Sequence, residues 1–244
     1  MSGWLADART LWRLARKRSR SLADFEEFQR FMAGGVRRYL ESRGVSFPGQ
    51  RLLDVGTAWG AYGQVLADAG ADVTFLDLTV DEHIPAERRR AFLAADATRL
   101  PLPGASFDFV FCASLIEHVP DAAALLAELY RVLRPGGRGY IGFPPFYSPV
   151  GGHQFKPYHL LGERIALKLE GSGAASYATS HERGGLYRRT IRGVRRQIRI
   201  AGFEIEDTST RFTRLNVARL PWLGEVLTWY VQFLVRKPGE ETSR

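Results

Sequence analysis

One cysteine, Cys112, stands in 244 residues, so no disulfide can close within the chain and a reducing compartment is the expectation. An unbroken apolar run is missing too. The longest candidate, residues 220–235, is interrupted by Glu225 and Gln232 and is too short to span a bilayer. The first twenty residues are basic but have no apolar core of the kind a secretory leader needs, so no leader is expected. Internal repeats and low-complexity tracts are also absent.

What is present suits one α/β domain with an added cap. The hydrophobic fraction, 45%, can bury a substantial core at this length. The net charge is +8, carried mostly by arginine, with basic clusters at residues 13–20, 188–199 and 211–219. A nucleic acid, an anionic membrane surface, an anionic substrate and a plain solvated face all accommodate such charge.

Helical spacing runs through residues 4–18, where Trp4, Leu5, Ala8, Leu11, Trp12 and Ala15 form a stripe opposite Arg9, Arg13, Arg16 and Lys17. That pattern fits either a lid packed on the domain or a helix lying in a membrane interface. Ser21 is a good N-cap for a second helix with a stripe of Phe25, Phe28, Met32, Val36 and Tyr39, ending at Gly44. Strand and helix then alternate. Strands are expected at 51–55, 71–78, 107–112, 139–143, 203–208 and 229–235, with helices at 60–69, from Asp121 to the Pro135-Gly136-Gly137 stop, and from Thr190 to Gly202. Such alternation predicts a largely parallel sheet with helices on both faces and a ligand at the carboxyl ends of its strands.

The first strand ends in Asp54-Val-Gly56-Thr57-Ala-Trp-Gly60, and the second ends near Asp77, 23 residues after Asp54. A glycine turn lets backbone approach a ligand, and a carboxylate at that separation reaches a ribose diol. The dinucleotide fingerprint Gly-x-Gly-x-x-Gly is lacking, and Asp54 would repel a pyrophosphate. A cationic nucleoside fits better.

These residues resemble the first motif of the class I S-adenosylmethionine-dependent methyltransferases, of the small-molecule type. Asp77 with Leu78 resembles the family's ribose-binding acid, Asp96-Ala97 its adenine-side loop, and Ser106-Phe-Asp-Phe-Val-Phe the strand that follows. Ser114-Leu-Ile-Glu117-His118 and Leu133-Arg-Pro-Gly-Gly137 resemble later landmarks. The resemblance covers residues 50–143 in order and 186–238 more loosely. It implies a doubly wound, Rossmann-like α/β fold on a mostly parallel seven-stranded sheet. N-terminal helices would occupy residues 1–46, the methyltransferase domain 47–238, a cap 144–185 between strands five and six, and a tail 239–244. It also implies S-adenosylmethionine as cofactor, held by Asp54, Gly56, Thr57, Gly60, Asp77, Leu78, Asp96, Ala97 and Ser114. One departure is Ala58, where the family often has glycine, and it points to weaker or shifted cofactor binding.

Some related quinone-type O-methyltransferases bind a divalent metal through a glutamate three residues before a Glu-His pair. Ser114 occupies that position here, so no metal is expected and His118 reads as a packing residue. Phe143-Pro-Pro-Phe-Tyr147 is similar in outline to a signature of amino-methylating enzymes, but it follows the wrong strand and starts with phenylalanine. Residues 144–185 carry His153, His159 and His181 among five aromatics and suit an acceptor pocket. If the acceptor is a hydroxyl, a base is needed. His153, beside the apparently flexible pair Gly151-Gly152, is the first candidate; His159 is the second, and His83 lies on the ribose side. The expected reaction is O-methylation of a small-molecule, sugar or lipid-linked glycan acceptor, with C- or N-methylation of a natural product, or a cofactor-binding scaffold without turnover, as alternatives. The expected location is the cytoplasm, with peripheral attachment to the inner face of an anionic membrane. A nucleic-acid partner is not expected.

Overall fold

The computed structural model describes all residues except 1, 19, 83, 85, 172–175, 180–184, 213–214 and 240–244. His83, His181 and most of the tail therefore lie outside the described residues, as do the side chains of residues 2–8 and 22.

Two helices come first, α1 (Ser2–Lys17) and α2 (Leu22–Ser42). The expected Ser21 cap is in place, its hydroxyl accepting from the Asp24 amide at 3.1 Å. Then follow β1 (Arg51–Val55), α3 (Ala61–Ala67), β2 (Asp72–Asp77), α4 (Ala86–Arg89), β3 (Phe92–Ala94), β4 (Phe107–Ala113), α5 (Ala122–Val132) and β5 (Leu133–Phe143). The remaining elements are α6 (Glu163–Glu170), α7 (Ile191–Ile200), β6 (Glu204–Thr210), α8 (Leu223–Leu227) and β7 (Val231–Arg236).

The seven strands form one sheet in the order β3-β2-β1-β4-β5-β7-β6, parallel except for β7, which runs antiparallel between β5 and β6. Order reverses between β1 and β4. That is the switch point at which open α/β sheets bind ligands. β3 has only three residues and escaped the period-two reading. β5 begins at Leu133, so Pro135-Gly136-Gly137, expected as a stop, lies inside an irregular strand entrance instead.

Both faces of the sheet are covered. Val110, Cys112, Leu125, Leu129 and Val194 belong to one apolar core, and Leu40, Phe47, Leu52, Phe109 and Phe111 to the other. The cap has a third, separate core of Phe146, Phe155, Ala166, Tyr177 and Leu186. This core accounts for most of the loop's aromatics without a ligand. α2 is anchored to the far edge of the sheet, where the Tyr39 hydroxyl donates to Asp207 at 2.9 Å beside Arg43.

α1 departs from its expected stripe. Leu14 is its buried residue, whereas Trp12 is 64% exposed with the Arg16 guanidinium stacked over its ring. Trp12 therefore does not pack as a lid on the domain.

Candidate functional site

The turn after β1 is organised from within. Asp54 is buried, and its Oδ2 accepts from the Thr57 hydroxyl at 2.6 Å and the Gly63 amide at 3.1 Å. Burial pushes its carboxyl up to about 7 against those two stabilising bonds, with Asp77 adding repulsion. Asp54 thus shapes the loop that Thr57 and Gly60 complete. Gly56 and Gly60 both have positive φ, 74° and 77°. A Cβ on Gly56 would lie 2.9 Å from Leu115, and one on Gly60 2.8 Å from Phe92. Substitution at Gly56 therefore strains the turn itself. Gly63, which the sequence reading passed over, is as tightly placed, 2.5 Å from the Phe75 ring. Its spacing of three from Gly60 was the available signal.

Asp77 ends β2 half-exposed. Its Oδ2 accepts from the Ala58 amide at 2.7 Å and its Oδ1 from its neighbour Leu78 at 2.8 Å. Ionised carboxylates have further lone pairs, so a diol can still be received. Leu78 is 57% exposed beside it, an apolar surface of the kind a base covers. Asp96 is exposed, with Oδ1 taken by Thr98 and held below the usual carboxylate range by those bonds. Ala97 is buried next to it. Ser114, in left-handed backbone at the end of β4, shares a hydrogen bond with the Tyr230 hydroxyl at 3.0 Å.

Of these residues, Gly56, Thr57 and Ser114 line a cavity of about 270 Å³ together with Ala58, and Phe25, Gln29 and Arg30 of α2 form its other side, while Asp77, Leu78 and Asp96 lie outside its lining. α2 is pinned over the loop by Trp59, whose ring meets Phe25 edge-on at 5.2 Å while its Nε1 donates to Asp81 at 2.7 Å. Nothing in the sequence marked α2 as a wall of this cavity. Next to the turn after β1, the half-exposed Asp77 and the exposed Leu78 fit the ribose and base of S-adenosylmethionine.

A second cluster lies beyond β4. Glu117 is 1% exposed, and neither carboxylate oxygen has a hydrogen-bond partner. Burial pushes its carboxyl up to about 8, with Arg189 the opposing charge. Arg189 also holds the loop in place, donating to the carbonyls of Ile116, Val119 and Pro120. The His153 Nε2 stands 3.9 Å from a Glu117 oxygen, and the His118 ring meets His153 edge-on at 4.8 Å. His118 is fixed by a 2.9 Å hydrogen bond to the Gly185 carbonyl. Donor atoms of Glu117, His118 and His153 all lie within 4.8 Å of one another, a set that could also hold a divalent ion. No sequence spacing marks this set, because His153 arrives from the cap, 35 residues downstream of His118.

His153 has φ +49°, an uncommon conformation for a residue with a side chain, and such strain tends to gather at working sites. Gly151 and Gly152 are not the flexible pair expected. Both are buried, and a Cβ on either would fall about 2 Å from Pro145 or from the His159 ring. They are glycines because the chain packs tightly there. His159 is 2% exposed, its Nε2 3.3 Å from the Ser148 carbonyl, and burial lowers its pKa. It supports the turn that presents His153, and does not join the Glu117 cluster.

Residues 53–141 match a family described as a methyltransferase domain. The chain is 44% identical over 94 residues to a demethylmenaquinone methyltransferase of Beutenbergia cavernae, covering 37% of this chain and 39% of that protein. It is 40% identical over 97 residues to a malonyl-[acyl-carrier protein] O-methyltransferase of Serratia marcescens, covering 38% of each. The chain thus spans about two-fifths of the length of these curated relatives. Among solved structures, an S-adenosylmethionine-dependent methyltransferase of Mesorhizobium loti superposes with a TM-score of 0.59 at 22% identity, over 83% of this chain and 98% of that one. That likeness establishes the fold alone.

Proposed function

We propose that this chain, whose residues 53–141 match a methyltransferase domain, uses S-adenosylmethionine to methylate a hydroxyl group of a small-molecule, sugar or lipid-linked glycan acceptor. The observation that carries the hydroxyl reading is the buried Glu117 carboxylate facing the imidazole of His153 across 3.9 Å, next to the end of β4.

When bound, the cofactor supplies an electrophilic methyl group on a sulfonium. Asp77 would receive the ribose, Leu78 and Asp96 the adenine side, and the Gly56–Gly60 turn the remainder. α2 covers this end where Phe25 meets Trp59. His153 accepts the acceptor hydroxyl's proton as its oxygen attacks, with the Glu117 carboxyl beside its ring. His118 limits the tilt of the His153 ring, while His159 and the packed glycines fix its backbone.

A second reading is favoured by the relative named as a demethylmenaquinone methyltransferase: transfer to carbon, for which His153 would be less important. Its similarity covers 37% of this chain, too little to choose the acceptor. Incubation with methyl-labelled cofactor and fractionated extract tests the proposal. Label passing into a base-stable ether in a lipid, glycan or small-molecule fraction supports it. Label in carbon-methylated product favours the second reading, and tight cofactor binding with no labelled fraction makes the chain a scaffold.

A further inference from the structure

A cavity of about 1010 Å³, which shares no lining residue with the Glu117 cluster, opens between α7 and the segment 217–227. α7 buries Ile191, Val194 and Ile198 against the sheet. Its outer side presents Arg192, Arg196 and Arg199, none of which has a carboxylate partner among the described residues. Arg195, between them, is partly desolvated and feels the like charges of Arg199 and Arg219. Arg219 is neutralised by Asp207 at 2.9 Å. The one acid of the groove is Glu225, and both its oxygens are taken by the first amides of α7, Ile191 at 2.7 Å and Arg192 at 2.9 Å. Positive charge therefore remains in excess along the groove, with Glu225 offsetting part of it at Arg195.

The opposite lip is apolar and turned outward. Trp222 is 81% exposed and Leu223 59%, with Leu220 and Val226 also exposed beside them, while Ile200, at the end of α7, adds an exposed apolar group on the basic side. Trp222 has φ +61°, so the chain adopts an unfavourable backbone with the indole projecting away from the core. Arginines flanking a protruding tryptophan and aliphatic side chains match a bilayer interface, where phosphates meet the cations and acyl chains receive the apolar groups. A nucleic acid would use the arginines but gains nothing from exposed isoleucine, leucine and valine. Tyr147 and Thr190 line the groove's inner end, so the face adjoins the cap.

We propose that this face, and not α1, docks the protein on an anionic phospholipid bilayer. The inference is independent of which atom is methylated. In α1 Arg16 lies over the ring of Trp12, so that indole is already occupied on one face.

Sedimentation of the full chain with vesicles of phosphatidylglycerol and phosphatidylcholine in equal parts, against phosphatidylcholine alone, provides the test. Binding is expected only with the anionic lipid, weakening as salt rises. The triple variant Arg192→Gln, Arg196→Gln, Arg199→Gln is expected to lower the partition coefficient about 100-fold, at the usual contribution of a basic residue near an anionic surface. Trp222→Ala is expected to lower it about tenfold and Trp12→Ala to leave it unchanged. Calorimetric titration with S-adenosylhomocysteine checks that each variant remains folded. Binding lost with Trp12→Ala but kept in the triple variant would overturn the assignment, as would vesicle binding that is absent while an RNA oligonucleotide binds through the same arginines.

Discussion

Asp54, Asp77 and Asp96 stand at the carboxyl ends of neighbouring strands, and each already accepts hydrogen bonds from its own loop, from Thr57 and Gly63, Ala58 and Leu78, or Thr98. Glu117, one strand further along, is buried with neither oxygen hydrogen-bonded, and faces a histidine delivered by the cap. The first region is complete before anything binds. The second contains a buried acid whose cost is unrelieved, and burial of that kind is retained where a proton must move. Both regions also hold a residue with a side chain in left-handed backbone, Ala58 at φ +49° and His153 at φ +49°. If the contrast is sound, relaxing the first should cost no function and relaxing the second should abolish it.

The largest effect is expected at His153. His153→Ala should lower turnover by about two to four orders of magnitude, as for a lost general base, while S-adenosylhomocysteine affinity stays within about twofold. His159→Ala should act through the turn, with destabilisation exceeding any direct loss of chemistry. Turnover by His153→Ala near the wild-type rate between about pH 6 and 9 would remove it from the mechanism. Turnover that collapses when a chelator is added would instead assign Glu117, His118 and His153 to a metal.

A smaller effect separates the two buried acids by pH. Glu117 is raised from 4.5 to about 8 and Asp54 from 3.8 to about 7, both chiefly by burial. The folded state therefore holds protons that the unfolded chain releases above its ordinary carboxylate values. Stability from these groups is greatest below those values and declines as pH rises towards 7 and 8. Scanning calorimetry should show the melting temperature falling from pH 5 to pH 8, and falling less in Glu117→Gln, with the two proteins diverging most between pH 7 and 8. Parallel curves would mean that Glu117 is solvated or ionised in the folded protein.

The smallest effect belongs to Ala58. Ala58→Gly removes a left-handed alanine and should stabilise the fold by about 0.5–1 kcal/mol in a denaturant titration, with cofactor affinity equal or better. A destabilised variant would mean that the Ala58 side chain packs against something in the folded state.

The cofactor region was legible in the sequence because it is local. A strand, a glycine turn and a helix are contiguous, and the 23-residue step from Asp54 to Asp77 spans one strand–helix–strand unit. The proposed acceptor region is assembled from afar: Glu117 and His118 from the loop after β4, His153 from the cap and Arg189 from just before α7. No spacing rule joins these positions. Periodicity also misled in the N-terminal helix, where Trp12 and Leu14 each fit a stripe and Leu14 is the buried one among the described side chains. β3 was missed because three residues are too few to display a period.

Calorimetric titration of S-adenosylhomocysteine into wild type, Asp77→Ala and His153→Ala tests the division between the two regions most directly. Removing Asp77 takes away a charged acceptor of two ribose hydrogen bonds, a loss of about 2–3 kcal/mol, or roughly 30- to 150-fold in Kd. His153→Ala should titrate like wild type. Unchanged affinity in Asp77→Ala, or a comparable loss in His153→Ala, would contradict the assignment of cofactor binding to the β1–β3 loops and of proton transfer to the cap.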